Sequence, residues 1–208
     1  MIVRSTTSHN RGNWIRPFGP IIYYNTVSKM MVDEINYFAK NSKTKYNQNL
    51  AGNIEEEWTY EMSDKFKEEL QSYVSEYIDI LNENLEKTNL NNKRPSIHIH
   101  EPWVNVQKKG EWNPIHTHGA DFSCILYSKI PKELRDEWMH STQQGNYPTA
   151  GKIEFGYGED LSASRCHMLI KPYEGQFILF PSWLRHHVYP FTSDVERISF
   201  STNFTLQY

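Results

Sequence analysis

Near Ser96 the hydrophobic period of this chain changes from that of a helix to that of a strand. Upstream, apolar residues recur every three or four positions. Met31, Ile35, Phe38 and Ala39 follow a candidate N-cap at Ser28. Phe66, Leu70, Tyr73, Val74, Tyr77, Ile78, Leu81 and Leu85 then form one stripe along 63–85, with Lys65, Lys67, Glu68, Glu69 and Glu76 largely opposite. Downstream the period is two, in short runs at 97–106, 115–127, 151–155, 168–170, 176–180, 187–189 and 198–206, punctuated by Gly, Pro, Asn and Asp. Helices followed by strands exclude alternating βαβ units and predict an α+β fold. The expected form is a β-sandwich or jelly roll with the helical stripes buried on one sheet.

The rest of the chain fits around these elements. Residues 1–19 read as a loosely held arm, 20–24 as a short strand and 41–53 as a loop. Glu55 to Glu57 read as a solvated helix start, 89–95 as a turn, and 131–147 as a helical or irregular excursion. At 208 residues one domain is expected, with 1–95 as arm and supporting helices and 96–208 as the jelly-roll core.

Charge narrows the partners. Twenty-two basic side chains face 25 acidic ones, a formal charge of -3, so no surplus exists to grip a nucleic-acid backbone or an anionic membrane. Two cysteines, Cys124 and Cys166, are too few for a disulfide scaffold. With no leader-like start and no apolar run of membrane-spanning length, they are expected to be reduced thiols in a cytoplasm.

Three segments carry chemistry. In Trp112-Asn-Pro-Ile-His-Thr-His-Gly-Ala-Asp121, His116 and His118 stand at i and i+2, which on a strand share a face and can begin a metal site. Asp121 could swing a carboxylate toward the same point. His-x-His alone does not distinguish a metal site from an ordinary pair. In Phe180-Pro-Ser-Trp-Leu-Arg-His-His-Val-Tyr-Pro190, alternation allows only one of His186 and His187 to face a cavity. In Arg197-Ile-Ser-Phe-Ser-Thr-Asn203, the face made by Arg197, Ser199, Ser201 and Asn203 is polar. An arginine on an inner wall needs an anionic partner, and a bound carboxylate would serve.

In this order, the segments resemble the iron(II)- and 2-oxoglutarate-dependent oxygenases, specifically the small prolyl-hydroxylase-like members. Ser123-Cys-Ile-Leu-Tyr127 and Trp103-Val-Asn105 add to the match, and Arg197 follows His186 by 197 − 186 = 11 positions. The resemblance implies a double-stranded β-helix of the cupin-like kind, with iron(II) as metal and 2-oxoglutarate as small-molecule cosubstrate. It makes His116 the first iron ligand and His186 the distal one. The usual pattern is His-x-Asp/Glu, and His118 stands at the carboxylate position, so His118, Asp121 or a water is the third ligand. Arg197 would pair with the far carboxylate of 2-oxoglutarate, Ser199 adding a hydrogen bond, and Tyr127, Asn105 and Asn203 would wall the pocket. Trp103, Phe180 and Trp183 would exclude water. The implied reaction is hydroxylation of a substrate, coupled to oxidative decarboxylation of 2-oxoglutarate to succinate and carbon dioxide. Analogy with prolyl hydroxylases favours a peptide or protein side chain as substrate. Similar sequences are familiar from tailed phages of marine bacteria, which would place the protein in a host cytoplasm. Two other readings stand beside it: a three-histidine metal cupin that does not use 2-oxoglutarate, and a non-catalytic jelly-roll binding or structural protein.

Overall fold

Alternation along residues 197–207 sorts the molecule into three layers. The computed structural model describes residues 12–15, 19–42, 44–84, 95–139, 148–162 and 164–208. Its strands are β1 (Asn13–Ile15), β2 (Ile22–Thr26), β3 (Glu56–Thr59), β4 (Ser96–Ile99), β5 (Trp103–Gln107), β6 (Asn113–His116), β7 (Phe122–Lys129), β8 (Ile153–Gly156), β9 (His167–Ile170), β10 (Gln176–Pro181), β11 (Arg185–Val188) and β12 (Arg197–Gln207). Its helices are α1 (Lys29–Asn41), α2 (Asp64–Asn84) and α3 (Lys132–Met139). A large antiparallel sheet runs β1-β2-β10-β7-β12-β5-β3, with β4 also paired to β12, and a small one runs β6-β11-β8-β9. The two sheets face each other as a jelly roll, a double-stranded β-helix, and α1 and α2 cover the outer face of the large sheet.

Each side of the large sheet has its own core. Ile198, Phe200 and Phe204 of β12 point outward and join Val104, Leu126 and Phe177 beneath Met31 and Ile35 of α1 and Phe66, Leu70, Val74 and Tyr77 of α2. Ile125, Ile178 and Phe180 point inward and meet Ile153, Phe155 and Val188 of the small sheet. Phe200 is fully buried, with its ring 5.0 Å from that of Phe66 and 5.3 Å from that of Tyr60. Phe200→Ala is expected to cost about 3–5 kcal/mol of unfolding free energy in urea, because the helices close only partly over the lost volume.

Local chemistry places the helices. Ser63 caps α2, its Oγ accepting from the Phe66 N–H at 3.2 Å, and the same hydroxyl donates to Glu34 of α1. Ser28 does sit at the N-cap of α1, but its Oγ donates to Glu69 of α2 at 2.6 Å instead of capping.

Three parts of the sequence reading change. Residues 13–15 of the expected arm are a strand paired to β2. The expected helix start at 55–57 opens into β3, which pairs with β5. The run 115–127 divides into β6 and β7, which lie in different sheets. Three strands of the large sheet, β1, β2 and β3, therefore come from the segment before Ser96. Leu85, the 89–94 turn and the 140–147 part of the excursion lie outside the described residues. No helix among the described residues is long and apolar enough to cross a membrane.

Candidate metal centre and its pocket

The small sheet places two imidazoles directly. β6 is an edge strand, so Pro114 costs it no ladder hydrogen bond on its open side. Its last residue, His116, is the register partner of His186 on β11, and the two rings face the space between the sheets with centroids 4.3 Å apart. His186 is 5 % exposed. His187 points to the other side, against the ring of Tyr189.

His118 arrives by another route. The strand has ended, so the i, i+2 rule does not place it; a turn does. The His118 N–H donates to Ser182 O at 2.9 Å, and the Ser182 N–H donates to Asp121 O at 3.0 Å, which clamps 118–121 against the turn before β11. The His118 ring then lies 4.9 Å from that of His116 and 5.2 Å from that of His186. One ring nitrogen from each of the three lies within 4.8 Å of the others. Asp121 does not join them. Its Oδ2 accepts from the Leu206 N–H at 2.7 Å, which holds the carboxylate at the end of β12.

Backbone carbonyls set the tautomers. His116 Nδ1 lies 2.7 Å from Pro114 O and His186 Nδ1 lies 2.9 Å from Leu184 O. A carbonyl only accepts, so each Nδ1 carries the proton and each Nε2 keeps its lone pair for the shared space. Burial, and then the neighbouring His116, hold His118 down to about 4 and His186 well below its ordinary value. Neutral imidazoles are the form that binds a metal. A second group, Asp160, Cys166 and His167, lies toward the surface, with His167 already paired to Glu154 at 2.8 Å.

The histidines open into a cavity of about 150 Å³ whose floor is the inner face of the large sheet. There, register lines up side chains across four strands. Glu57 of β3 opposes Asn105 of β5, Asn105 opposes Ser199 of β12, and Ser199 opposes Tyr127 of β7. Arg197, one step along β12, opposes Gln107. Arg197 is 1 % exposed. One of its nitrogens donates to Gly151 O at 2.9 Å, its Nε has no partner, and its guanidinium lies 5.2 Å over the Tyr127 ring. Glu196 pairs with Lys129 instead, and no ion pair of Arg197 occurs among the described residues. Ser199 Oγ, Tyr127 OH and Asn105 Oδ1 are also buried without partners. Asn203 lines the cavity too, but its Oδ1 accepts from Ser123 Oγ, which also bonds Ser182 Oγ at 2.6 Å. Phe180 packs on His186 at 4.8 Å between ring centroids, and Trp103 lies 6.1 Å from His118. Trp183 points out to solvent beside Tyr157.

Sequence reasoning missed Glu57. It is 1 % exposed; its Oε2 accepts from Asn47 Nδ2 at 3.3 Å and its Oε1 meets no donor. The signal was the β-prone run Trp58-Thr-Tyr60 directly after the three glutamates. Burial, and then the Glu111 carboxylate, raise the Glu57 pKa from 4.5 to about 7. The folded protein thus holds this proton more tightly than the unfolded chain. The stability it contributes is complete below pH 4.5 and is lost as pH rises through 7. At about 1.4 kcal/mol per pH unit, a contribution on the order of 2–3 kcal/mol disappears between pH 5 and pH 8. Glu57→Gln stays neutral, so urea unfolding is expected to show the variant gaining about that much on the wild type over the same interval. A difference that does not change with pH would mean the carboxylate is hydrated.

Residues 101–203, which carry all three histidines and Arg197, match the family described as "Putative 2OG-Fe(II) oxygenase". Iron(II) and 2-oxoglutarate are the metal and cosubstrate by which that family is named. No curated protein matches the chain in sequence. Among solved structures, the chain is similar to the viral collagen prolyl hydroxylase of Paramecium bursaria Chlorella virus-1 in its 2OG complex, at 14 % identity and a TM-score of 0.54, covering 90 % of this chain and 96 % of that one. It is similar to a prolyl-4-hydroxylase of Pseudomonas putida at 14 % identity and a TM-score of 0.54, covering 90 % and 93 %. It is also similar to HygX of Streptomyces hygroscopicus with nickel, 2-oxoglutarate and hygromycin B bound, at 8 % identity and a TM-score of 0.52, covering 88 % and 82 %. At these identities the likeness is one of fold.

Proposed function

We propose, from the match of residues 101–203 to the 2OG-Fe(II) oxygenase family, that the protein is an iron(II)- and 2-oxoglutarate-dependent dioxygenase that hydroxylates a peptide or protein side chain. The observation that carries this reading is one cavity holding both a triad of imidazoles and a buried guanidinium with no carboxylate paired to it among the described residues. The donor set suits a first-row metal, since neutral imidazole is a borderline ligand and three on one side leave positions open for small ligands. In this reading His116, His118 and His186 hold iron(II), and residues 1–208 act as one domain. Bound there, the metal supplies dioxygen activation, coupled to decarboxylation of the keto acid to succinate and carbon dioxide.

The remaining work falls to the chain. Arg197 receives the far carboxylate of 2-oxoglutarate through charge-assisted hydrogen bonds. Ser199 Oγ donates beside it. The Tyr127 phenol, which burial raises to about 12, keeps its proton and can donate too. Pro114 O and Leu184 O fix the rings of His116 and His186, so no reorientation is needed on binding. Phe180, Phe155 and Trp103 keep water from the histidines.

A three-histidine cupin without 2-oxoglutarate would share the metal ligands but leave Arg197 unpaired, which is why it ranks second. Anaerobic titration of the iron(II) protein with 2-oxoglutarate separates the two. A weak visible charge-transfer band, and succinate release once air is admitted, are expected from the dioxygenase. Iron binding without a band or succinate would eliminate it.

A further inference from the structure

The transverse row on the pocket floor is chemically two-ended. At the β12–β7 end, the unpartnered atoms are Arg197 Nε and the hydroxyls of Ser199 and Tyr127, which can all donate. At the β5–β3 end, the unpartnered atoms are Glu57 Oε1, Asn105 Oδ1 and, beside them, Asn113 Oδ1, all of them acceptors once Glu57 is ionised. Neighbouring strands lie about 4.8 Å apart, so Glu57, two strands from Ser199, stands roughly 10 Å away across the floor. An anion held at one end leaves the other end free.

Nothing among the described residues neutralises the acceptor end. On β3 itself, Glu56 is tied to Lys108. Glu111, in the β5–β6 connection, spends its two oxygens on the Glu55 and Lys108 N–H groups and still adds negative charge. Lys45 lies over the Trp58 ring, with its ammonium 3.5 Å from Glu55 O. No ion pair to Glu57 occurs among the described residues. Above the carboxylate, 50–52 closes the wall of the cavity. A Cβ at Gly52 would strike Asn113 Oδ1 and come within 3.2 Å of Glu57 Oε1, so the space before these oxygens exists because residue 52 has no side chain.

We propose that Glu57, Asn105 and Asn113 form the primary-substrate subsite, and that it takes a positively charged nitrogen group rich in N–H donors, an ammonium or guanidinium. This assignment to the primary substrate rests on the dioxygenase reading. Three acceptors, one of them a carboxylate, match such a group in number and charge, and pairing would relieve the desolvation that Glu57 now bears alone. The group could belong to a basic side chain of a peptide or to a free amine, and the two differ only in what is attached to it.

The test uses the full chain and its Glu57→Gln variant at pH 8. Dissociation constants are measured by calorimetry for agmatine (a free amine), for an acetylated and amidated arginine tripeptide, and for N-oxalylglycine, which imitates the keto acid at the Arg197 end. At least one basic probe is expected to bind the wild type tenfold or more tightly than it binds the variant, while N-oxalylglycine binds both within about twofold. The tripeptide outbinding agmatine identifies a side chain as the source; the reverse identifies a free amine. If the basic probes bind both proteins equally, or bind neither while N-oxalylglycine binds both, the subsite is overturned and the dioxygenase reading stands. If N-oxalylglycine binds neither protein, it is the dioxygenase reading that falls.

Discussion

Arg197→Met is expected to weaken 2-oxoglutarate binding by about 10²–10⁴-fold while leaving the ligand-free protein about as stable as the wild type. The two halves of this result have one cause. Arg197 is fully buried, and burial pulls its pKa below the usual guanidinium value, which means its charge is poorly solvated where it stands. Among the described residues its guanidinium donates to Gly151 O and lies over the Tyr127 ring, with no ion pair. A buried charge without a counter-charge costs several kcal/mol, and a well-packed apolar replacement is often neutral or stabilising. Against that gain stands the Gly151 carbonyl left without a donor, worth about 1–3 kcal/mol. Methionine follows the arginine stem and should bring the sum near zero, so the melting temperature without ligand should move by no more than a few degrees. With ligand the balance inverts. Two hydrogen bonds to a charged carboxylate, each worth about 1.5–3 kcal/mol, are lost, which gives the expected factor in affinity. Melting curves with and without saturating 2-oxoglutarate, together with calorimetry, measure both halves. Arg197→Lys keeps the charge without the planar fork and should fall between the two. Binding within tenfold of the wild type in Arg197→Met would remove Arg197 as the anchor.

That Arg197 faces the pocket was legible because alternation is a property of one strand. Arg197, Ser199, Ser201 and Asn203 share a face whatever β12 pairs with, and Ile198, Phe200 and Phe204 share the other. The same local rule limited His186 and His187 to one cavity-facing ring, and the 3.6-residue period located α2 before any partner was known. Glu57 was not legible, because its burial comes from pairing β3 with β5, some fifty residues on, and a run of three glutamates carries no trace of that partner. His118 is an intermediate case. The i, i+2 spacing suggested the convergence, but the strand stops at His116 and the Ser182 carbonyl, more than sixty residues away, holds the turn that turns His118 inward. Spacing anticipated the neighbours and long-range backbone hydrogen bonds supply the cause. Asp121 shows the converse: nearness in sequence allowed it to reach the histidines, and an N–H at the end of β12 takes its carboxylate instead.

The third ligand can be decided by two substitutions whose effects should cross. His118→Ala is expected to lower iron(II) affinity by 10²-fold or more while leaving thermal stability of the metal-free protein nearly unchanged. The imidazole makes no side-chain hydrogen bond among those described, and burial without a partner is a cost that alanine does not carry. Losing one of three ligands from a set already aimed by Pro114 O and Leu184 O removes a whole metal–nitrogen bond, which the remaining pair cannot replace by moving. Asp121→Ala should do the opposite. Iron affinity should stay within about twofold. Stability should fall by about 1–2 kcal/mol, because the Leu206 N–H loses a charged acceptor and the turn that carries His118 loses one of its two ties to β12. Anaerobic iron(II) titration and urea unfolding, run on both variants, give four numbers. The arrangement of the three imidazoles requires the affinity loss to follow residue 118 and the stability loss to follow residue 121. Should iron affinity collapse in Asp121→Ala and survive in His118→Ala, the carboxylate must leave Leu206 to bind the metal, and the three-histidine assignment would be wrong. Affinity that survives in both would hand the third position to water.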